Sequence, residues 1–543
     1  MPTVSEVMAE FLHSAGTRQV FGVPGGDSLP FMEACNNRNV TFILANHETS
    51  AGFMADAYSL LSGKPGVCIT TLGPGATNAV SAAAQAMLER SPVLFITAQL
   101  SRAHQGAMTH QFVDTEALFR PVTKWSFSVT PDNVIPVMRR ALRTMYVGRP
   151  GPVHLSLAGD VATAEMPQTD TPITFPSDVL TRPSPAPDAI EDARRLVRSA
   201  RRPLILAGLG IYHGDCSREL RQLVSSWEVP ILYTPKIKGV VPEDSPWAAG
   251  SVGLGMSADS HMKGLISEAD LVIAVGFDQV ELVTGWRDAL EPGMPLIWID
   301  YLPCEDGIYH VDVGMIGDMK ASLGALDETP CEFEWTAEML QSHSEKVRQT
   351  LVGGHIPAPR CGLAPHRVTQ IARSIIPPDT VVTSDVGAQK LMNSQLWESY
   401  LPGTYLLTNG FSSMGYGLPA AIAAALSDPK RRPVVCFCGD GGFSMTMHEM
   451  ETVARLGLPV VVVVFSDCTL SLIEIKQRRR GFAPGGVRMA DKDYVALARG
   501  FGICGYHATS EDELQTALTE AVEEAAPAII GCTVDPAEYD YQL

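Results

Sequence analysis

Two apolar runs, residues 434–438 and 459–465, are joined by a helical stretch, and each is followed closely by an aspartate. A strand, a crossover helix and a second strand of this kind place parallel strands side by side. The region is thereby committed to a buried, open α/β sheet. The first run stops at Gly439-Asp440-Gly441-Gly442, where glycines let the backbone approach a ligand closely. Residues 443–456 are predicted to form the helix, with its first amides aimed at whatever the turn holds. The second run leads into Ser466-Asp467-Cys468-Thr469, so the two carboxylates stand 27 residues apart. Both fall at the carboxyl ends of strands, the edge where open α/β sheets take ligands. Asp440, Asp467 and a backbone carbonyl near Thr469 make an oxygen set suited to Mg²⁺, which readily shares its coordination sphere with a diphosphate. Without a ligand, Asp440 reads as the cap of an ordinary helix.

This block resembles the thiamine-diphosphate (ThDP) motif, in which Gly-Asp-Gly is followed after a similar interval by Asn-Asn. Ser466-Asp467 stands in place of that pair. It keeps an oxygen ligand and adds a negative charge, in which it is similar to catabolic acetolactate synthases. Ala45-Asn46-His47-Glu48-Thr49-Ser50-Ala51-Gly52 resembles the segment carrying the family's glutamate. The resemblance implies that Glu48 bonds N1′ of the aminopyrimidine and favours the imino tautomer that removes the C2 proton. Burial and a nitrogen partner would tune that carboxylate. Read alone, Glu48 is a helix N-terminal residue favoured by the dipole.

Further stretches extend the resemblance to essentially the whole chain. Val20-Phe21-Gly22-Val23-Pro24-Gly25-Gly26 is similar to the first glycine turn of the acetolactate synthase group, and Thr71-Leu72-Gly73-Pro74-Gly75-Ala76-Thr77-Asn78 to its pyrimidine-side loop. In 409–417, Met414 would be the wedge under the bent cofactor and the Ser412 carbonyl would accept from the 4′-amine. A core methionine is the alternative for Met414. Asp385-Val386-Gly387-Ala388-Gln389 takes the place of a diphosphate-side loop, with Gln389 where the family often has His. Thr469, Leu470 and Ser471 would complete that side. Thr109-His110-Gln111-Phe112-Val113-Asp114 implies that Gln111 faces the reacting carbon. His110 and His47 are candidate proton shuttles. Glu48, Gln111, His110 and the Gly26 turn are thus the catalytic positions the resemblance implies.

Two departures narrow the reading. Biosynthetic acetohydroxyacid synthases carry an Arg before a central-domain Phe-Asp pair. Val275-Gly276-Phe277-Asp278-Gln279 lacks it. Their Trp near the position of Lys476 is missing too. Both losses are shared with catabolic-type enzymes and other carboligases, and they argue against bound FAD. The basic run Arg478-Arg479-Arg480 reads either as part of a lid that attracts a carboxylate or as a solvated loop.

A chain of 543 residues exceeds one core. A proline-rich connector at 166–187 and a second break at 327–365, holding one amphipathic helix at 336–351, divide it. The expected fold is α/β, three doubly wound parallel-sheet domains: pyrimidine-binding (1–165), central (188–326) and diphosphate-binding (360–543). Hydrophobic content of 45% with 19% charged residues fits a soluble globular protein. The net charge of −19 argues against nucleic acid and anionic membranes. The longest apolar run is too short to span a bilayer, no basic leader opens the chain, and eleven scattered cysteines fit a reducing cytoplasm. The expected activity is ThDP- and Mg²⁺-dependent carboligation, in which a 2-oxo acid such as pyruvate is decarboxylated and its acyl unit joined to an aldehyde or second oxo acid. A simple decarboxylase, a benzaldehyde lyase-type enzyme and a flavin-linked oxidase are the alternatives. The family's arrangement implies a homodimer or homotetramer with active sites at the subunit interface.

Overall fold

A computed structural model describes residues 1–105, 109–166, 171–286, 289–290, 293–304 and 307–543. Pro167, part of the predicted connector, lies outside the described residues. Three six-stranded sheets form, each parallel throughout its pairings. The first contains β1 (Gln19–Val23), β2 (Thr41–Leu44), β3 (Gly66–Thr70), β4 (Val93–Gln99), β5 (Trp125–Ser128) and β6 (Val153–Ala158), in the order β2-β1-β3-β4-β6-β5. The second contains β7 (Pro203–Ala207), β8 (Ile231–Tyr233), β9 (Ala248–Ser251), β10 (Leu271–Val275), β11 (Leu296–Asp300) and β12 (Val313–Ile316), ordered β12-β11-β10-β7-β8-β9. The third contains β13 (Val381–Ser384), β14 (Tyr405–Leu407), β15 (Val434–Gly439), β16 (Val460–Ser466), β17 (Cys504–Ala508) and β18 (Ala528–Thr533), ordered β14-β13-β15-β16-β18-β17. Helices cover both faces of such sheets, so the inner strands read as unbroken apolar runs rather than alternating ones. Val460 through Val464 are all fully buried. No helix of the described residues is long and apolar enough to cross a membrane.

Contacts divide the chain into two compact units that do not follow the sequence in order. One joins 1–181 to 410–431 and 446–458. There the helix Gly417–Ser427 packs on Glu48–Ser62, with Phe53 and Tyr416 meeting edge to face at 5.7 Å. The other unit comprises 182–409, 432–445 and 459–543 and contains the second and third sheets.

A buried ion pair lies inside the second unit. Lys238 Nζ is 2.8 Å from Glu243 Oε2 and donates to the Ser394 carbonyl at 3.1 Å. Glu243 accepts from the Ser399 N–H at 3.1 Å. The rings of Tyr233 and Tyr405 lie 5.8 and 5.9 Å from the ammonium. Burial pushes the Glu243 carboxyl up, and Lys238 opposes that shift. Removing one partner leaves the other as an uncompensated buried charge. Glu243→Ala is therefore expected to lower stability in urea unfolding by about 3–5 kcal/mol. A loss below about 1 kcal/mol, the range of an exposed pair, would contradict that account.

Candidate cofactor site

Strand order fixes where ligands can enter. In the first sheet the chain passes from β1 to β2 on one side while β3 lies on the other, and β13 stands likewise between β14 and β15. Crevices at such switch points open at the carboxyl ends of the strands.

The β1/β3 crevice lies in the first unit. Beyond β1 the chain turns through Gly25 and Gly26. Gly26 is exposed, and a Cβ there would meet nothing within 4 Å. Beyond β3 the helix Pro74–Leu88 starts with Pro74 in its first position, where a missing N–H costs nothing. Glu48 opens the helix Glu48–Ser62, capped by His47, whose Nδ1 accepts from the Thr49 N–H at 3.1 Å. The Glu48 carboxylate is buried. Its Oε2 accepts from Asn78 Nδ2 at 3.0 Å, while the Asn78 carbonyl accepts from Thr49 Oγ1 at 2.6 Å. The helix dipole favours the carboxylate, and the amide fixes its direction. A Cβ at Gly73 would come within 2.7 Å of the Gln111 carbonyl oxygen, so Gln111 lies against the same loop. Glu48, Pro74, Asn78 and Gln111 are thus brought together. His110 is exposed and makes no hydrogen bond or ring contact among the described residues. Ser412, at φ +53°, and half-buried Met414 belong to this unit as well. The neighbouring Phe411 N–H donates to Glu89 Oε1 at 3.1 Å.

The β13/β15 crevice lies in the second unit. Gly387 precedes the helix Ala388–Leu396, and Gln389 is buried with its Nε2 donating to the Asp385 carbonyl at 3.1 Å. Gly439 ends β15 and faces the Gln389 amide: a Cβ there would sit 3.4 Å from its Oε1. A Cβ at Gly442 would collide with Asp385 Oδ2 at 1.8 Å. Only glycine leaves that turn room to lie so close to its neighbour.

β15 and β16 pair with Gly439 opposite Phe465, so Asp440 and Asp467 emerge side by side. Asp440 Oδ2 accepts from the Cys468 N–H at 2.7 Å. Asp467 accepts from the Thr469 N–H at 2.9 Å and the Ser471 hydroxyl at 2.5 Å. Leu470 caps the helix Ser471–Arg479. Burial pushes the Asp467 carboxyl up to about 7, with the Ser471 hydroxyl opposing and the Asp440 charge adding to the rise. Burial also raises Asp440, against the Cys468 N–H and the charge of Lys492. Among the described residues no three His, Cys, Asp or Glu side chains gather as a metal site. Buried Asp440 and half-buried Asp467 are a partial oxygen set that a Mg²⁺ ion and diphosphate oxygens would complete, so the residues fit the implied group.

The structure corrects two expectations. The helix predicted at 443–456 starts earlier, at Asp440, and is broken: Asp440–Thr446, a 3-10 turn Met447–Glu449, then Met450–Leu456. Fully buried Glu449 accepts from the Asn46 N–H at 3.0 Å and the Thr452 hydroxyl at 2.8 Å, and these bonds outweigh continuous helix. Within the basic run, Arg478 is bound to both carboxylate oxygens of Asp540, and Arg479 to the carbonyls of Asp540 and Leu543. Both lie on the helix Ser471–Arg479 and bond the C-terminal segment, so neither belongs to a solvated loop. Sequence reasoning missed the Cys468 N–H and Lys492 beside Asp440. Cys468 adopts φ +57°, which no residue type at that position signals.

Comparison with known proteins identifies the family. Three family models match in order: the N-terminal TPP binding domain of thiamine pyrophosphate enzymes at residues 2–118, their central domain at 190–326 and their C-terminal TPP binding domain at 385–532. A probable acetolactate synthase large subunit of Methanocaldococcus jannaschii is 31% identical over 98% of this chain and 92% of its own. The acetolactate synthase isozyme 2 large subunit of Escherichia coli is also 31% identical, over 98% and 95%. The chain belongs to the thiamine pyrophosphate enzyme family. It is an acetolactate synthase-like, ThDP-dependent enzyme. The catabolic acetolactate synthase of Raoultella terrigena is 29% identical over 98% and 95%.

Replacing Asp440 by Ala removes one of two anionic groups beside the expected diphosphate. Mg²⁺-dependent ThDP affinity, measured by calorimetry, should fall at least about tenfold. Asp467→Asn keeps an oxygen and drops one charge, so ThDP retention through gel filtration should survive. An Asp440→Ala protein that retained ThDP equally well after chelation would remove this pair from metal binding.

Proposed function

We propose that the enzyme is a ThDP- and Mg²⁺-dependent carboligase that decarboxylates a pyruvate-type 2-oxo acid and transfers its acyl unit to an aldehyde or second 2-oxo acid. The observation that carries this is the buried Glu48 carboxylate, held by Asn78 on the loop where Gln111 also lies. Pure binding of a cofactor does not call for a buried, oriented carboxylate, whereas proton transfer does.

ThDP, when bound, supplies a carbon nucleophile and an electron sink for decarboxylation. Asp440, Asp467 and the Thr469 carbonyl would hold the metal, and the Gly387-Ala388-Gln389 and Gly439-Asp440-Gly441-Gly442 turns, with Leu470 and Ser471, would hold the diphosphate. Glu48 holds and returns a proton at N1′ of the pyrimidine, and Asn78 positions it. Gln111 orients the reacting carbonyl, and the bare Gly26 turn leaves space for the substrate. The Ser412 carbonyl and Met414 would set the cofactor's bend. Absence of the Arg before Phe277 supports function without FAD.

Carbon dioxide release and condensed product, measured separately over a panel of 2-oxo acids with ThDP and Mg²⁺, test the reading. Both should appear together. CO₂ with free aldehyde alone would make the protein a simple decarboxylase. Glu48→Gln should keep ThDP yet slow exchange of the C2 proton into D₂O by roughly 10²–10⁴-fold. Unchanged exchange would exclude Glu48 from proton transfer.

We further propose that Glu48 of one protomer and Asp440 of its partner serve one cofactor, so a homodimer is the smallest active unit. Co-expressed Glu48→Gln and Asp440→Ala chains then restore one intact site in each mixed dimer. Recovery of about a quarter of wild-type activity is expected from statistical pairing within a two-fold dimer. No recovery, with mixed dimers verified, would place both residues in one chain's site.

A further inference from the structure

The second sheet has the strand order of a dinucleotide-binding fold. Numbered within the sheet, β9-β8-β7-β10-β11-β12 is third, second, first, fourth, fifth, sixth, and its switch point lies between β7 and β10. The chain leaves β7 through Gly208-Leu209-Gly210 and enters a single helical turn, Gly210–His213. In folds of this order a dinucleotide diphosphate is seated on the amides of that turn.

Here those amides are occupied. The Gly208 N–H donates to the Val275 carbonyl at 3.1 Å and the Gly210 N–H to the Gly276 carbonyl at 2.8 Å. The Leu209 N–H donates to Glu281 Oε2 at 2.9 Å. The two loops also touch. A Cβ at Gly210 would lie 2.5 Å from Gly276 Cα, and one at Gly276, which adopts φ +55°, would lie 2.6 Å from the Ile211 nitrogen. Glu281 is almost wholly buried. Its Oε1 accepts from the Thr234 hydroxyl at 2.6 Å, and its backbone carbonyl accepts from Asn409 Nδ2. Burial pushes its carboxyl up to about 7, with the Leu209 N–H, the Thr234 hydroxyl and the charge of Lys236 opposing and Asp278 adding. Among the described residues, a diphosphate at this turn would meet amides already bonded, and two acidic side chains against the one ammonium of Lys236.

We infer that Glu281 is a resident carboxylate in the anion seat of the central domain, so that a side chain occupies the place where this topology would take the diphosphate of a dinucleotide such as FAD. The residues at the switch point do not fit that group. The inference deepens the flavin-free part of the proposed function by naming the residue responsible.

The test uses the holoenzyme with saturating ThDP and Mg²⁺, which keeps the other diphosphate seat filled. Calorimetry with FAD and with ADP should show no binding to the wild type. Glu281→Ala bares the Leu209 N–H and the Thr234 hydroxyl. It should gain 1:1 ADP binding at least tenfold tighter than any seen with wild type, and formate should raise its melting temperature but not that of the wild type. Glu281→Gln still fills the seat and should bind neither nucleotide. Stoichiometric FAD or ADP on the wild type, or Glu281→Ala indifferent to both ADP and formate, overturns the inference. If Glu281→Ala does not fold, nucleotide bound to wild type or Glu281→Gln overturns it, and binding to neither supports it. Product assays run alongside separate the two readings. Carboligation by protein carrying stoichiometric flavin sinks this inference alone. No turnover of any 2-oxo acid by flavin-free protein sinks the carboligase reading alone.

Discussion

Repulsion between Asp440 and Asp467 is the constraint around which the third sheet's carboxyl edge is built. Parallel pairing of β15 and β16 brings the two side chains out at the same edge. Burial makes each charge expensive, and the Asp440 charge adds to the rise at Asp467. The local backbone responds with donors: the Cys468 N–H toward Asp440, the Thr469 N–H and the Ser471 hydroxyl toward Asp467. Cys468 accepts a left-handed conformation in the same loop. Donors alone do not neutralise two desolvated carboxylates. The proposed Mg²⁺ would fit such a pair better than a monovalent cation, because its charge matches the two carboxylates.

The three sheets answer one problem in three ways. Each presents an acidic side chain near the carboxyl edge of a parallel sheet, where strand ends and helix starts supply unpaired amides. In the first, a single carboxylate, Glu48, is oriented by a neutral amide, which suits the proton transfer proposed for it. In the third, the carboxylates are doubled, which suits a metal. In the second, Glu281 turns inward and satisfies the loop amide itself, closing the edge. The chemistry at each edge is decided by how the carboxylate is partnered, while the surrounding sheets stay alike.

Much of this was legible in the sequence. The apolar runs bounded by Gly439 and Asp467 identify adjacent buried strands, because a strand covered on both faces has no polar alternation to blur. Glu48 was readable beside its glycine turns. The interruption at Met447–Glu449 was not: Thr446-Met447-His448-Glu449 contains neither Gly nor Pro, and the break follows from a bond to Asn46, some four hundred positions earlier. The role of Glu281 was hidden for a similar reason. A glutamate in a loop after an apolar strand looks solvated until Thr234 and Leu209 close on it. His110 is exposed and without a hydrogen bond among the described residues, so its placement adds nothing to what the motif implied.

The discontinuous first unit bears on how the chain is made. The helix Glu48–Ser62 leaves the ribosome early, yet its packing partner Gly417–Ser427 is synthesised far later. At roughly 5–20 residues per second, the intervening stretch of roughly 350 residues takes about 20–70 s. Throughout that interval the apolar face carrying Phe53 lacks the ring of Tyr416. Nascent chains of this protein therefore carry an unfinished surface for most of their synthesis, and truncated translation products should depend on chaperones in a way the completed chain does not.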